Sequence, residues 1–168
     1  RWFRVPPKIY FKRGATDFAL RELEGKKRAF IVTDRYLFDS GMVSAITNVL
    51  EEMDIEYQIF FDVKPDPTLS TIDEALVMVN VFKPDVFISF GGGSPMDAAK
   101  ILWLKYERPE IEFEDIAMRF MDIRKRICTI GELGKKAMMV AIPTTSGTGS
   151  EVTPFSIITD DKTHVKYA

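Results

Sequence analysis

Three consecutive glycines, Gly91-Gly92-Gly93, followed by Ser94, carry the strongest chemical signal in the chain. Glycine lets a backbone approach a ligand closely, and the N–H groups that open a helix favour an anion such as phosphate. The run Asp85 to Phe90 just before the glycines is almost wholly apolar and reads as a strand covered on both faces. The residues after them read as a helix from Pro95 to Trp103, Pro95 being suited to a first turn because it has no N–H to leave unsatisfied. In open α/β sheets ligands sit at the carboxyl ends of strands, where such a loop lies. A tight turn that merely needs glycine is the plain alternative, and three glycines between a strand and a helix weigh against it. Neither common phosphate fingerprint fits. The glycines lead into Ser94-Pro95-Met96, so G-x-G-x-x-G is absent, and no Lys-Ser/Thr pair follows as a Walker loop requires.

A second polar loop, Thr144 to Ser150, also follows an apolar run, Ala137 to Ile142. Its hydroxyls and glycines suit a ribose, a phosphate or a carboxamide, although Ser/Thr/Gly stretches are often plain loops. Two such loops, each after a buried strand, are better explained by one shared ligand. Asp34 ends an earlier strand, where an acidic side chain can accept hydrogen bonds from an adenosine ribose and repel a 2′-phosphate. Helix-cap or turn chemistry explains that residue equally well.

Other reactive side chains point to ordinary roles. His164 is the single histidine, so no His-rich metal site can be assembled from these residues, and a half-exposed hairpin position suits it. Cys128 lies beside Arg124-Lys125-Arg126, which could lower its pKa, yet an incidental thiol is the simpler reading. The basic run reads as a solvated face, and Met118, Met121, Met138 and Met139 read as packing.

These residues need elements to position them. A chain of 168 residues is long enough for one domain with its own core, and 46% hydrophobic against 29% charged residues is a globular balance. A net charge of −2 gives no pull toward nucleic acid or a membrane surface, and no apolar run is long enough to span a bilayer. One cysteine allows no internal disulfide, which suits a reducing, cytoplasmic setting. Both ends, Arg1-Trp2-Phe3 and Lys166-Tyr167-Ala168, lack a fraying polar character, so the chain is expected to be a piece of something longer.

Periodicity supplies the rest. Lys8 to Phe11 is β-like, and Thr16 or Asp17 can cap a helix through Phe18, Leu20 and Leu23 that stops at Gly25. Arg28 to Thr33 reads as a buried strand, and Ser40 can cap a helix through Val43, Ile46, Val49, Leu50 and Met53. Ile55 to Phe61 is a strand, Ser70 starts a helix, and Lys83-Pro84 breaks it. Glu107 to Lys136 suggests one or two surface helices, while Phe155 to Thr159 and Thr163 to Tyr167 read as a hairpin about Asp160-Asp161-Lys162. Strands alternating with helices imply a Rossmann-like α/β fold, a mainly parallel sheet with flanking helices.

With both loops in place, the segments Gly91-Gly92-Gly93-Ser94-Pro95-Met96-Asp97-Ala98-Ala99-Lys100 and Pro143-Thr144-Thr145-Ser146-Gly147-Thr148-Gly149-Ser150-Glu151-Val152-Thr153 resemble the two nucleotide-binding signatures of the iron-containing (group III) alcohol dehydrogenases. The order Val32-Thr33-Asp34, Pro65-Asp66-Pro67-Thr68, the two loops, then Ile158-Thr159-Asp160 also follows that family. The segment Arg119-Phe120-Met121-Asp122-Ile123-Arg124-Lys125-Arg126, with Trp2-Phe3-Arg4-Val5-Pro6, resembles more closely the alcohol dehydrogenase part of the bifunctional aldehyde–alcohol dehydrogenases of fermenting microbes.

The resemblance implies the N-terminal half of the dehydroquinate synthase-like fold, residues 1–168 forming one NAD-binding domain. It places Asp34 on the adenosine ribose, Asp66 on the adenosine side, and Gly92, Gly93 and Ser94 on the pyrophosphate with Asp97 nearby. Thr144, Thr145 and Thr148 would contact phosphate and the nicotinamide ribose, Phe155 and Ile157 would pack along the cofactor, and Lys166 would reach a ribose hydroxyl. The implied reaction is reversible hydride transfer between NAD(H) and a short-chain alcohol–aldehyde pair such as ethanol and acetaldehyde. A divalent metal, usually Fe2+, polarises the oxygen, held by one Asp and three His of a downstream helical domain. No catalytic residue and no metal ligand is therefore implied among these positions, and the chain alone is expected to bind nucleotide in part without catalysing. A homo-oligomeric whole enzyme, with no nucleic-acid or membrane partner, completes the expectation. A stand-alone nucleotide-binding or regulatory module is the alternative.

Overall fold

The computed structural model describes residues 5–117 and 130–168. Four strands, β1 (Arg28–Val32), β2 (Glu56–Phe60), β3 (Val86–Gly91) and β4 (Met138–Pro143), form an all-parallel sheet in the order β2-β1-β3-β4. The two central strands are the most buried, β3 along its whole length. Their side chains alternate between two cores. Phe30, Val32 and Phe87 pack with Ala75 and Val79 of α4 (Leu69–Phe82) and with Ala98 and Leu102 of α5 (Gly93–Glu107). Ala29, Ile31, Val86 and Ile88 pack on the other face with Leu20 of α1 (Ala15–Leu20) and with Ile46 and Leu50 of α3 (Ser44–Glu52). Each large side chain removed from water in this way contributes roughly 1.5–3 kcal/mol before its entropy cost. Helices on both faces of a parallel sheet are the predicted architecture.

The strand order fixes where a ligand can lie. From β1 the chain steps to β2 on one side and then returns past β1 to β3 on the other. The connections therefore diverge at the carboxyl ends of β1 and β3, the switch point at which open α/β sheets leave a crevice. Asp34 and the glycine loop both leave from that edge.

Strand β4 is held in place at its start by an acid. Glu107, the last residue of α5 and only 8% exposed, accepts N–H bonds from Lys135 (3.1 Å), Lys136 (2.8 Å) and Ala137 (2.7 Å). The Trp103 indole N–H donates to the Ala137 carbonyl at 2.7 Å. Met138 N then joins the ladder through Asp85 O at 3.0 Å.

Several local expectations are corrected. Lys8 to Phe11 forms no strand, and the run is exposed. Neither Thr16 nor Asp17 caps α1. Gly14 does, in a left-handed conformation that a side chain would resist, and Phe18 faces solvent. Ser40 closes α2 (Arg35–Asp39) by donating to Leu37 O and does not open α3, whose N-cap is Val43. Thr68, rather than Ser70, caps α4 by accepting from Thr71 N. Helix α5 begins at Gly93, two residues before Pro95, because Gly92 already takes the cap position. Strand β4 is a half-exposed sheet edge, not a buried strand: it pairs with β3 alone and Met138 is 44% exposed. The hairpin forms only two-residue strands, β5 (Ile158–Thr159) and β6 (Lys166–Tyr167). Of the expected surface helices after Glu107, one short α6 (Phe113–Ile116) is described. Trp2, Phe3 and Arg4, Met118, the Arg119–Arg126 stretch with Met121, and Cys128 lie outside the described residues.

Candidate functional site

Gly91 is where backbone geometry leaves no room for a side chain. Its φ is +151°, and a Cβ there would come 2.6 Å from Pro95 Cγ and 3.4 Å from Leu37 Cδ1. The turn from β3 into α5 is thus closed by the Pro95 ring against bare backbone. Gly91→Ala is expected to lower the unfolding free energy by about 1–3 kcal/mol, from overpacking and backbone strain. Urea unfolding measures this, and an unchanged midpoint would refute the packing argument.

The second loop begins beside the first. Gly91 and Pro143 are register partners, and Thr144 N donates to Gly91 O at 2.9 Å. A Cβ on Gly92 would lie 3.1 Å from Thr145 Oγ1, so the two loops touch there. A Cβ on Gly93 would lie in van der Waals contact with Thr148 Cβ, at 4.0 Å. The first turn of α5 therefore starts beside Thr148, and its cap, Gly92, brings no side chain to its N–H groups. The helix dipole and those amides favour a negative group at the start of α5. Thr148 itself donates to Glu151 Oε2 at 3.1 Å.

Asp34 stands across the switch point. Val32 of β1 lies opposite Ser89 of β3, so Asp34 and Gly91 each come two residues past a paired position. Its Oδ1 accepts from Leu37 N at 2.9 Å and caps α2, the ordinary role the sequence left open for it. Arg35 beside it is ion-paired with Asp62 and lies over the Phe61 ring, 4.4 Å from its centre.

The remaining predicted residues fall into two further groups. Asp66 and Lys166 pair directly, Nζ to Oδ1 at 2.6 Å, on the exposed rim where Thr159 N donates to Pro67 O. Asp97, Phe155 and Ile157 meet on the far side of the second loop. Asp97 Oδ1 accepts from Ser150 Oγ at 2.5 Å and its Oδ2 from Ile157 N at 3.1 Å. Phe155 offers its carbonyl to Lys100 Nζ at 2.7 Å. Ser94 follows Gly93 in the first turn of α5.

Sequence reasoning assigned no role to Lys100, Ser156 or Glu107, and it read Ser150 only as a hydroxyl of the polar loop and Asp161 only as a turn residue. Lys100 donates to Ser150 Oγ at 2.8 Å as well as to Phe155 O, and lies 3.6 Å from Asp97. Burial pulls its ammonium below the usual lysine range, more than the Asp97 charge lifts it. The signal was visible: a lysine among Met96, Ala98, Ala99, Ile101 and Leu102, three residues after an aspartate, must bring a partner with it. Asp161 accepts from Ser70 N and Ser70 Oγ at 2.9 and 3.0 Å, tying the hairpin to the start of α4. His164 is exposed in the hairpin turn at a φ of +55°, as its ordinary reading required.

Among the described residues no three His, Cys, Asp or Glu side chains gather as a metal site, and no helix is long and apolar enough to cross a membrane. The bifunctional aldehyde-alcohol dehydrogenase of Escherichia coli (strain K12) is 55% identical over 168 residues, covering 99% of this chain and 19% of that protein. The NADPH-dependent butanol dehydrogenase of Clostridium saccharobutylicum is 41% identical over 165 residues, 98% of this chain and 40% of that one. An iron-containing alcohol dehydrogenase structure from Thermococcus thioreducens superposes with a TM-score of 0.89 at 30% identity, over 99% of this chain and 42% of that chain. The chain thus spans about a fifth of the length of the bifunctional relative and about two fifths of the other two. The family model for iron-containing alcohol dehydrogenase matches residues 6–168, and the chain belongs to that family.

Proposed function

We propose that residues 1–168 are the NAD-binding α/β part of an iron-dependent alcohol dehydrogenase that interconverts a short-chain aldehyde, such as acetaldehyde, and its alcohol. The observation that carries this reading is the glycine-capped start of α5 beside Thr148, on the edge where the sheet reverses its winding. Gly92, Gly93 and Ser94 would receive the pyrophosphate there. Thr144, Thr145 and Thr148 would hold the ribose and phosphate beyond it, and Asp34 the adenosine ribose. Bound NAD(H) supplies the hydride. The chain's residues orient it, with Phe155 and Ile157 half-buried along the second loop and the Asp66–Lys166 pair on the rim.

Iron does not fit the described residues, which bring no ligand set together. The metal ligands would come from elsewhere in a homo-oligomeric, cytoplasmic enzyme of fermentation.

Coenzyme choice would rest on Asp34. A 2′-phosphate would meet the Asp34 carboxylate, while the cation that could pair with it, Arg35, is held by Asp62 and Phe61. The whole enzyme is expected to prefer NADH to NADPH by roughly tenfold or more, about 1.4 kcal/mol of like-charge repulsion. Asp34→Gly should erase most of that preference. Glycine is the right replacement because it keeps much of the cap stability that alanine would lose. Equal affinities in the unaltered enzyme, unchanged in the variant, would remove Asp34 from the ribose.

A further inference from the structure

The proposed dinucleotide site has one side on α5 and the other on the loop after β4, and something must hold the two sides at a fixed distance. Backbone contact does so at one end only, through Thr144 N and Gly91 O. At the other end the Thr144–Ile157 stretch is fastened to the second turn of α5 by two side chains. Lys100, 17% exposed, donates to Ser150 Oγ and to the Phe155 carbonyl. Asp97, 14% exposed, accepts from Ser150 Oγ and Ile157 N, while Ser156 Oγ donates to the Asp97 carbonyl at 2.7 Å. Ser150 is the bridge, donating to the acid and accepting from the base. The half-buried charges lose hydration, so the arrangement persists only while each keeps its partners.

Resting on the nucleotide reading above, we infer that Lys100 and Asp97 form a latch that sets the opening between the two loops, and that Lys100 is a positioning residue for the part of the dinucleotide lying beyond the pyrophosphate. The direction follows from strand order. Asp34 leaves β1, the glycine loop leaves β3 and the threonine loop leaves β4, so a ligand with its adenosine at β1 lays its distal half along the latched loop. ADP would meet that loop only through its diphosphate, at the Thr145–Thr148 end, whereas NADH would also run its nicotinamide half along it.

The test measures ADP and NADH dissociation constants in the whole enzyme carrying Lys100→Met, Lys100→Arg or Ser150→Ala. Lys100→Met is expected to weaken NADH by roughly tenfold, the loss of a charge-assisted contact, and ADP by less than about threefold. Lys100→Arg should recover most of the NADH affinity, since a guanidinium can still reach a carbonyl and a hydroxyl. Ser150→Ala leaves both charges in place and should move NADH in the same direction by less; it decides the matter if Lys100→Met does not fold. Without nucleotide, the Ile157 amide should exchange with solvent faster in Lys100→Met than in the unaltered enzyme. Equal losses for ADP and NADH would reduce Lys100 to a general structural role and overturn the latch. So would unchanged NADH affinity with unchanged Ile157 exchange. Failure of the unaltered enzyme to bind either nucleotide would instead overturn the nucleotide reading itself.

Discussion

Gly93→Val is expected to abolish nucleotide binding while leaving the fold in place. Gly93 is the first residue of α5, its φ is not in the left-handed region, and a Cβ there meets nothing closer than Thr148 Cβ at 4.0 Å. The helix therefore tolerates a side chain. The valine branches would cover the helix amides that a phosphate must approach. Excluding that group removes its contacts with the first turn and adds a clash, so the NADH dissociation constant should rise by about 100-fold or more, roughly 2.7 kcal/mol. Circular dichroism melts should shift little, because the propensity cost of valine at a helix start is a fraction of a kcal/mol. Gly91→Ala should do the reverse at first order, lowering stability through Pro95 rather than covering the helix amides. Two nearby glycines thus separate folding from binding. Binding by Gly93→Val within about threefold of the unaltered protein would exclude the start of α5 as the phosphate site.

The parts of this site that could be read from the sequence are those whose chemistry is local. The glycine loop announced itself because strand, glycines and helix follow one another, and the parallel sheet because apolar runs alternate with amphipathic ones. Asp34 was read both as a cap and as a ribose ligand, and the cap is what the structure holds. Non-local pairings were illegible. Nothing in the spacing of Asp66 and Lys166 says that they meet, and nothing in Ser150 says that it bridges Asp97 and Lys100, some fifty residues earlier. Caps failed at Ser40 and Thr16 because a side chain able to cap is common, whereas the chain enters a helix at one position only. Strand β4 was misjudged because apolar character reports a strand's affinity for a sheet, not its place at the edge.

Glu107→Ala is expected to cost about 3 kcal/mol of stability, the largest single-residue loss proposed for this chain. The carboxylate accepts three successive backbone N–H groups, those of Lys135, Lys136 and Ala137, at a position nearly closed to solvent. Alanine would leave three donors without their acceptor, each worth about 1–3 kcal/mol if fully orphaned, with water entering the emptied space to recover part of it. Glu107→Gln should cost less. Its one amide oxygen can still serve Lys136 and Ala137, both bound to Oε1, while its NH2 would face the Lys135 N–H donor to donor. The expected order of unfolding midpoints is therefore Glu, then Gln, then Ala, and a loss below about 0.5 kcal/mol in the alanine variant would show that water satisfies the three amides unaided. The consequence reaches the site. Ala137 leads directly into β4, β4 carries Pro143 opposite Gly91, and Thr144 N is hydrogen-bonded to the glycine that starts the first loop. A fraying start to β4 loosens the register on which the second loop depends. Amide exchange in Glu107→Ala should accordingly accelerate from Met138 toward Ile142 before global unfolding, and NADH should bind more weakly at temperatures where the rest of the sheet is still intact.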